Sequence, residues 1–293
     1  MKKGIIAGLA AYTLWGFFPI YFRALESVSA FQVSAHRFVW SFLFLMVVVA
    51  VRGELRSLRA VITRRNLLVY LAAGVLLAIN WFTFVWGVQS GFVVEASLGY
   101  FINPLVSVVL GVVFLRERLR PAQWIPVALA AGGVAYLTIS HGSLPWLALV
   151  LAFSFGLYGL MKKIAPLGSL QGLTLETGTM FVPALAFLCF AQVSGVGAYW
   201  NDGLVTTLLL SLLGVVTAIP LLLFATGAKN IPLSTLGLLQ YISPTIQFFI
   251  GVWLYGEPFS PDQLIGFGLI WVALIIFSAE NLVNRRSPAQ AAA

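Results

Sequence analysis

Charge is what this chain lacks most. Only 9% of its 293 residues are Asp, Glu, Lys or Arg, against 60% hydrophobic residues and a mean hydropathy of +0.98. A water-soluble domain carries roughly a quarter of its residues as charges, so a soluble fold is excluded. Cysteine is nearly absent too. Cys189 stands alone, which rules out an intrachain disulfide, and with only two histidines beside it a zinc site has too few ligands. Catalytic signatures are missing: there is no G-x-S-x-G elbow, no glycine-rich phosphate loop, and Asp202 and Asp262 both fall in expected connections. Neither an enzyme nor an ATP-driven pump is expected, and no cofactor or metal.

What the chain does have is long apolar runs. They cover about residues 4–22, 31–51, 66–87, 92–115, 122–140, 146–161, 170–193, 204–226, 232–255 and 263–281, each close to the roughly 20 residues that cross a bilayer as a helix. The expectation is an all-α integral membrane protein of ten transmembrane helices in contact with the lipid bilayer. The first run follows Met1-Lys2-Lys3 and imitates a signal peptide, but it has no small-residue cleavage site before Arg23 and reads as a retained helix.

Sliding the sequence along itself by 140 positions gives a gapless match. Gly16 meets Gly156, Gly74 meets Gly214, Phe84 and Gly87 meet Phe224 and Gly227, and Pro104 meets Pro244. Gly111 meets Gly251, while Glu117, Pro121 and Gln123 meet Glu257, Pro261 and Gln263. Two five-helix repeats are expected, residues 1–142 and 143–293, the second ending in a short basic tail. An odd helix count per repeat inverts the second copy in the membrane, as in many secondary transporters.

The net charge of +8 fits this better than it fits nucleic-acid binding, because the basic residues cluster between apolar runs. Arg52, Arg56, Arg59, Arg64 and Arg65 precede the third run, whereas the matching connection before the eighth has Asp202 and no Lys or Arg. Arg116, Arg118 and Arg120 likewise face Gly256, Pro258 and Ser260. With both termini cytoplasmic, Lys2, Lys3, Lys162, Lys163, Lys229, Arg285 and Arg286 also lie inside, and Arg23 is the exception.

The stretches AAYTLWGFFPIYF, HRFVWSF, EASLGYFINPLVSVVLGVVFLRERL, LALVLAFSFGLYGLMKK and GVVTAIPLLLF resemble the RarD-type permeases of the EamA group in the drug/metabolite transporter superfamily. The resemblance covers nearly the whole chain. It implies a bacterial inner-membrane secondary transporter for small amphipathic metabolites or drugs, with export as the direction. It also implies a central cavity formed by helices 1 to 4 and 6 to 9, with helices 5 and 10 peripheral.

Candidate site residues come from the polar and aromatic positions inside the runs. Tyr100, Asn103 and Ser107 recur at helical spacing on the fourth run, and Gln240, Ser243 and Gln247 repeat that design on the ninth. Trp15, Trp40, Trp81, Tyr158 and Tyr241 offer stacking surfaces, and Asn80 with Asn103 could orient a polar end. Pro104 and Pro244 each free a carbonyl one turn back, at Tyr100 and Gln240, and are candidate hinges. His36, Arg37, Glu95 and Glu176 are ionisable groups within spans, which lipid makes costly and function explains. An Arg37–Glu95 ion pair is expected, and protons are a candidate coupling partner through His36, Glu95 or Glu176. Structural gating by the same residues accounts for them equally well. Glu117 and Glu257 close the turns after the fourth and ninth runs, where bonds to loop backbone are the simplest role. The residues leave open an uptake carrier for amino-acid-like solutes, with Arg37 holding a carboxylate, or a channel-like facilitator.

Overall fold

The computed structural model describes residues 2–89, 93–141, 146–254, 256 and 261–285; these are mostly helical, joined by short turns, and hold no strand. In chain order the helices are α1 (Lys2–Gly16), α2 (Phe18–Arg23), α3 (Ala30–Val51), α4 (Leu55–Ala60), α5 (Arg64–Gln89), α6 (Val93–Leu115) and α7 (Pro121–His141). They continue as α8 (Trp146–Ile164), α9 (Ser169–Val193), α10 (Gly203–Asn230), α11 (Leu233–Leu239), α12 (Ile242–Phe249), a π-helical turn (Ile250–Leu254) and α13 (Pro261–Arg285).

Four details depart from the run-by-run expectation. The first run breaks after Gly16 because Pro19, at the start of α2, supplies no N–H to the turn before it. The basic connection after α3 holds a short helix, α4. The ninth run is interrupted at Gln240–Tyr241 and ends in the π-helical turn. Asp262, expected in a connection, lies in the first turn of α13, where an acidic side chain suits the positive end of the helix dipole.

Seven helical stretches among the described residues are long and apolar enough to cross a membrane: Lys2–Arg23, Ala30–Val51, Arg64–Gly87, Trp146–Ile164, Ser169–Val193, Gly203–Asn230 and Leu233–Leu254. The distribution of side chains says what surrounds them. Val182, Phe190, Val205 and Trp253 are each more than two-thirds exposed, while Arg37, Lys162 and Glu176 are buried. Apolar outside and charged inside is stable only where the solvent is lipid.

Packing is dense at chosen points. Helix α1 lies against α10 and α12, α3 against α9 and α10, α5 against α8 and α9, and α6 against α8 and α11, while α7 pairs with α13. Glycine permits several of these crossings: a Cβ at Gly16 would fall 2.7 Å from Ile246, and one at Gly156 2.7 Å from Val106. At Gly214 a Cβ would overlap the Trp40 carbonyl.

The two ends of the bundle are tied differently. At one end, Lys163 Nζ donates to the carbonyls of Ile231 at 2.7 Å and Ala228 at 3.2 Å, and Lys229 Nζ donates to that of Ala165 at 2.6 Å. Cations thus satisfy the carbonyls that helix C-termini leave without partners. At the other end Gln32, in the first turn of α3, donates to Val196 O and accepts from Ala198 N, each at 2.7 Å.

Candidate functional site

Three helices, α3, α8 and α9, bring charge into the interior of the bundle. On α8, Tyr158 and Lys162 are four residues apart and so share a face. Lys162 Nζ donates to Glu176 Oε2 of α9 at 2.8 Å, with the two side chains 2% and 0% exposed. Tyr158 donates its hydroxyl to Glu176 Oε1 at 3.2 Å. The ammonium also lies 5.6 Å from the ring centres of Tyr158 and of Tyr70 on α5. Gly172 makes room for Tyr70, whose ring would stand 2.8 Å from a Cβ there. Both carboxylate oxygens of Glu176 are therefore engaged.

Arg37 of α3 is the opposite case. Its side chain is buried, yet Nε and both terminal nitrogens have no hydrogen-bond partner among the described residues. The guanidinium lies 4.4 Å from the ring centre of Trp81 and 4.6 Å from that of Phe38. Ring faces attract a cation but leave its N–H groups without acceptors. Glu176 and Tyr158 are within electrostatic reach, but Glu176 is already paired with Lys162.

Around these charges lies an aromatic cluster. Trp15 meets Phe155 edge-on at 5.6 Å and approaches Tyr12 at 5.6 Å and Phe224 at 5.7 Å. Tyr158 stacks on Phe224 at 5.8 Å. Trp81 packs against Phe18 and Phe22, at 5.9 and 5.5 Å. Trp15 Nε1 is buried without an acceptor among the described residues. Trp15, Trp81 and Tyr158 thus gather in one core with Arg37 and Glu176 beside them.

The remaining candidates disperse. Asn80 donates to Leu151 O at 2.9 Å and Ser154 Oγ at 3.0 Å, tying α5 to α8. His36 stacks on Tyr199 at 5.1 Å, its Nδ1 without a partner among the described residues, and Trp40 approaches the same tyrosine at 6.0 Å. Tyr100 meets Phe84 edge-on at 5.3 Å. Tyr241 turns away from the central cluster, stacking on Phe101 at 6.4 Å and donating to its carbonyl at 3.2 Å. Gln247 bridges Trp15 O and Ser243 Oγ, both at 3.2 Å. Asn103 Oδ1 on α6 and Gln240 Oε1, just past the end of the facing α11, are buried acceptors without a donor among the described residues. Ser107 lies against Gly237, which lets α6 and α11 approach closely.

Of the two prolines, Pro104 sits inside α6, helical on both sides, while Pro244 follows the interruption at Gln240–Tyr241. The carbonyl that Pro244 frees at Gln240 accepts from Ser243 N at 3.0 Å, so the turn tightens and the group is not left bare. Glu117 accepts from Leu233 N at 2.6 Å, Ser234 N at 3.0 Å and Ser234 Oγ at 2.7 Å, capping the start of α11, with Lys163 Nζ 4.0 Å away. Glu257 and the side chain of Glu95 lie outside the described residues, so the expected Arg37–Glu95 pair has no geometry to set beside it. Among the described residues no three His, Cys, Asp or Glu side chains gather to hold a metal.

Lys162, Tyr70, Phe155 and Phe224 belong to the site although sequence reasoning did not select them. Lys162 looked like a topological charge because it closes an apolar run beside Lys163. A signal did exist: Glu176 follows 14 residues later inside the next run, and a carboxylate in lipid needs a cation.

The profile of the EamA-like transporter family matches residues 2–139 and again residues 143–279. The chain belongs to the EamA-like transporter family. This EamA-like chain is 45% identical to the uncharacterized transporter YojE of Bacillus subtilis, over 98% of its own length and 97% of that protein. It is 43% identical to the protein RarD of Streptomyces exfoliatus, covering 99% and 92% of the two chains, and 40% identical to RarD of Escherichia coli K12, covering 97% of each. A solved protein crystal structure superposes with a TM-score of 0.72, covering 97% of this chain and 99% of that one. At 20% identity that likeness speaks for the fold alone. The EamA-like chain is a membrane transporter of the drug/metabolite superfamily, a multi-pass protein of the bacterial inner membrane.

Proposed function

We propose that the chain is a secondary transporter that exports small amphipathic solutes by alternating access between two inverted halves, residues 1–142 and 143–293. Each half has five of ten spans, and both termini face the cytoplasm. The observation that carries the reading is the buried site itself. Arg37 and Trp81 come from one half and Tyr158, Lys162 and Glu176 from the other, so rocking one half against the other remakes the site.

The halves are supported by pairs 140 positions apart. Gly16 packs on Ile246 while Gly156 packs on Val106, and Gly214 packs on Trp40 while Gly74 packs on Met180. Tyr241 and Phe101, equivalent positions, stack on each other, as expected at an axis. The double match of the family profile agrees with this division. Orientation is supported by charge: the end where α8 and α10 stop and α11 starts holds Lys162, Lys163, Lys229, and Glu117 beside its flanking arginines. Export rests on the resemblance to RarD-type permeases.

Reconstitution into liposomes tests the mechanism. Flux of a radiolabelled solute that saturates and is accelerated by unlabelled solute on the far side is expected. Flux linear in concentration and indifferent to the far side would make the protein a channel. Proton linkage through the titratable groups predicts that Glu176→Gln or His36→Ala changes the pH dependence of flux. Unchanged pH profiles in both variants would leave these residues a structural part.

A further inference from the structure

We infer that Arg37 anchors a binding site for a monoanionic amphipathic ligand, its carboxylate held by the guanidinium and its apolar body lying in the aromatic cluster around Trp81 and Trp15. As a statement about substrate this rests on the transporter reading above; as a statement about binding it does not.

The argument begins with cost. A cation withdrawn from water without a counter-charge is among the most unfavourable groups a fold can contain. Arg37 is 2% exposed, and its three nitrogens find no acceptor among the described residues. Packing does not require such a group, since Met fills a similar space without the charge. Among the described residues the one buried carboxylate within electrostatic reach, Glu176, has both oxygens committed, to Lys162 at 2.8 Å and Tyr158 at 3.2 Å. The described site thus holds two buried cations against one anion and is one positive charge in excess.

That excess selects the ligand. A monoanion neutralises the site, a zwitterion leaves it as charged as before, and a cation makes it worse. Guanidinium presents a planar fork that matches a carboxylate through two parallel hydrogen bonds. Trp81 and Phe38 approach Arg37 over their ring faces, at 4.4 and 4.6 Å, which fixes the cation while its N–H groups stay available. Trp81 also joins the core that contains Trp15, Phe155 and Tyr158. An apolar group attached to the carboxylate meets aromatic surface there and not water.

The test uses the full chain in detergent with four probes of one skeleton: 3-phenylpropionate, its neutral amide, the zwitterion phenylalanine and the cation phenethylamine. Titration calorimetry is expected to show binding of the anion well ahead of the other three. Arg37→Gln should weaken the anion by about tenfold to a hundredfold, the size of one or two charge-assisted hydrogen bonds, without weakening the amide. Without ligand, Arg37→Met should melt at the same or a higher temperature than the parent. The inference is overturned if the anion does not bind, if it binds no better than its amide, if Arg37→Gln leaves its affinity unchanged, or if Arg37→Met lowers the melting temperature, which would mean that a standing partner already neutralises the arginine. Flux of the same probes into proteoliposomes separates the two readings. Anion binding without flux of any probe would refute the proposed transport of such amphipathic solutes and keep the site, whereas saturable flux of the amide with no preference for the anion would do the reverse.

Discussion

Replacing Lys162 by Met should cost more stability than any surface change in this chain, and replacing Glu176 at the same time should recover most of it. The two charges are 2.8 Å apart and almost wholly buried. At an effective dielectric constant of about 20 their attraction is about 6 kcal/mol, which the desolvation of two ions offsets by several kcal/mol each. The intact pair is therefore close to neutral. Removing Lys162 alone loses the attraction and leaves Glu176 with only the Tyr158 hydroxyl, so a loss of about 3–5 kcal/mol is expected. In Lys162→Met with Glu176→Leu the burial cost disappears with both charges, and stability should return to the parent value or pass it by about 1–4 kcal/mol. Unfolding in mixed micelles, followed by tryptophan fluorescence, gives the four corners of the cycle. A single variant that costs under about 1 kcal/mol, or a double variant no more stable than the worse single one, would refute the account of Glu176 as a carboxylate held by this lysine.

Three further outcomes follow from particular contacts. Glu117→Ala removes the acceptor for two backbone N–H groups and one hydroxyl at the start of α11, and should destabilise the protein by about 1–3 kcal/mol in the same unfolding assay. Gly214→Val places a side chain onto the Trp40 carbonyl and should separate α10 from α3, read as loss of monodisperse protein on gel filtration, while Gly132→Val meets open space and should be silent. In a Cys189→Ser background, Asp202→Cys should react with a membrane-impermeant maleimide added to intact cells and Arg56→Cys should not; the reverse pattern would invert the assigned topology.

Much of the architecture could be read from apolar runs, because lipid demands helices and helices of that length are visible as composition. The chemistry was less accessible. Asn80 resembles a substrate-orienting amide in the sequence, yet its donors go to Leu151 O and Ser154 Oγ, partners 71 and 74 residues away that no local pattern reveals. Lys162 fails in the other direction. Position at the end of a run predicts an interfacial charge, and its burial depends on α8 ending against α9 with Tyr70 reaching in from α5. Arg37 was recognised as costly, but that its nitrogens lack described acceptors is a property of three-dimensional neighbours.

The 140-residue offset also separates what the halves share from what they do not. Glycines are kept where helices cross: Gly16 with Gly156, Gly74 with Gly214. Charges are not kept. The positions equivalent to Tyr158, Lys162 and Glu176 are Phe18, Phe22 and His36, and the position equivalent to Arg37 is Thr177. One end of the bundle is therefore closed by a buried ion pair, whereas at its image Phe18 stacks edge-on against Phe22 and both meet Trp81. If the halves exchange conformations, opening the first closure separates opposite charges and opening the second only hydrates rings. These costs respond differently to salt, because screening lowers the penalty for separated ions and excluded salts raise the penalty for exposed apolar surface. Sulfate should thus hinder opening at the aromatic closure, while chloride at equal ionic strength should not. Cysteine pairs across each closure, followed by crosslinking in the two salts, measure that difference; equal responses at both ends would refute this distinction between the closures, and no response at the charged end would mean that the ion pair stays shut throughout the cycle.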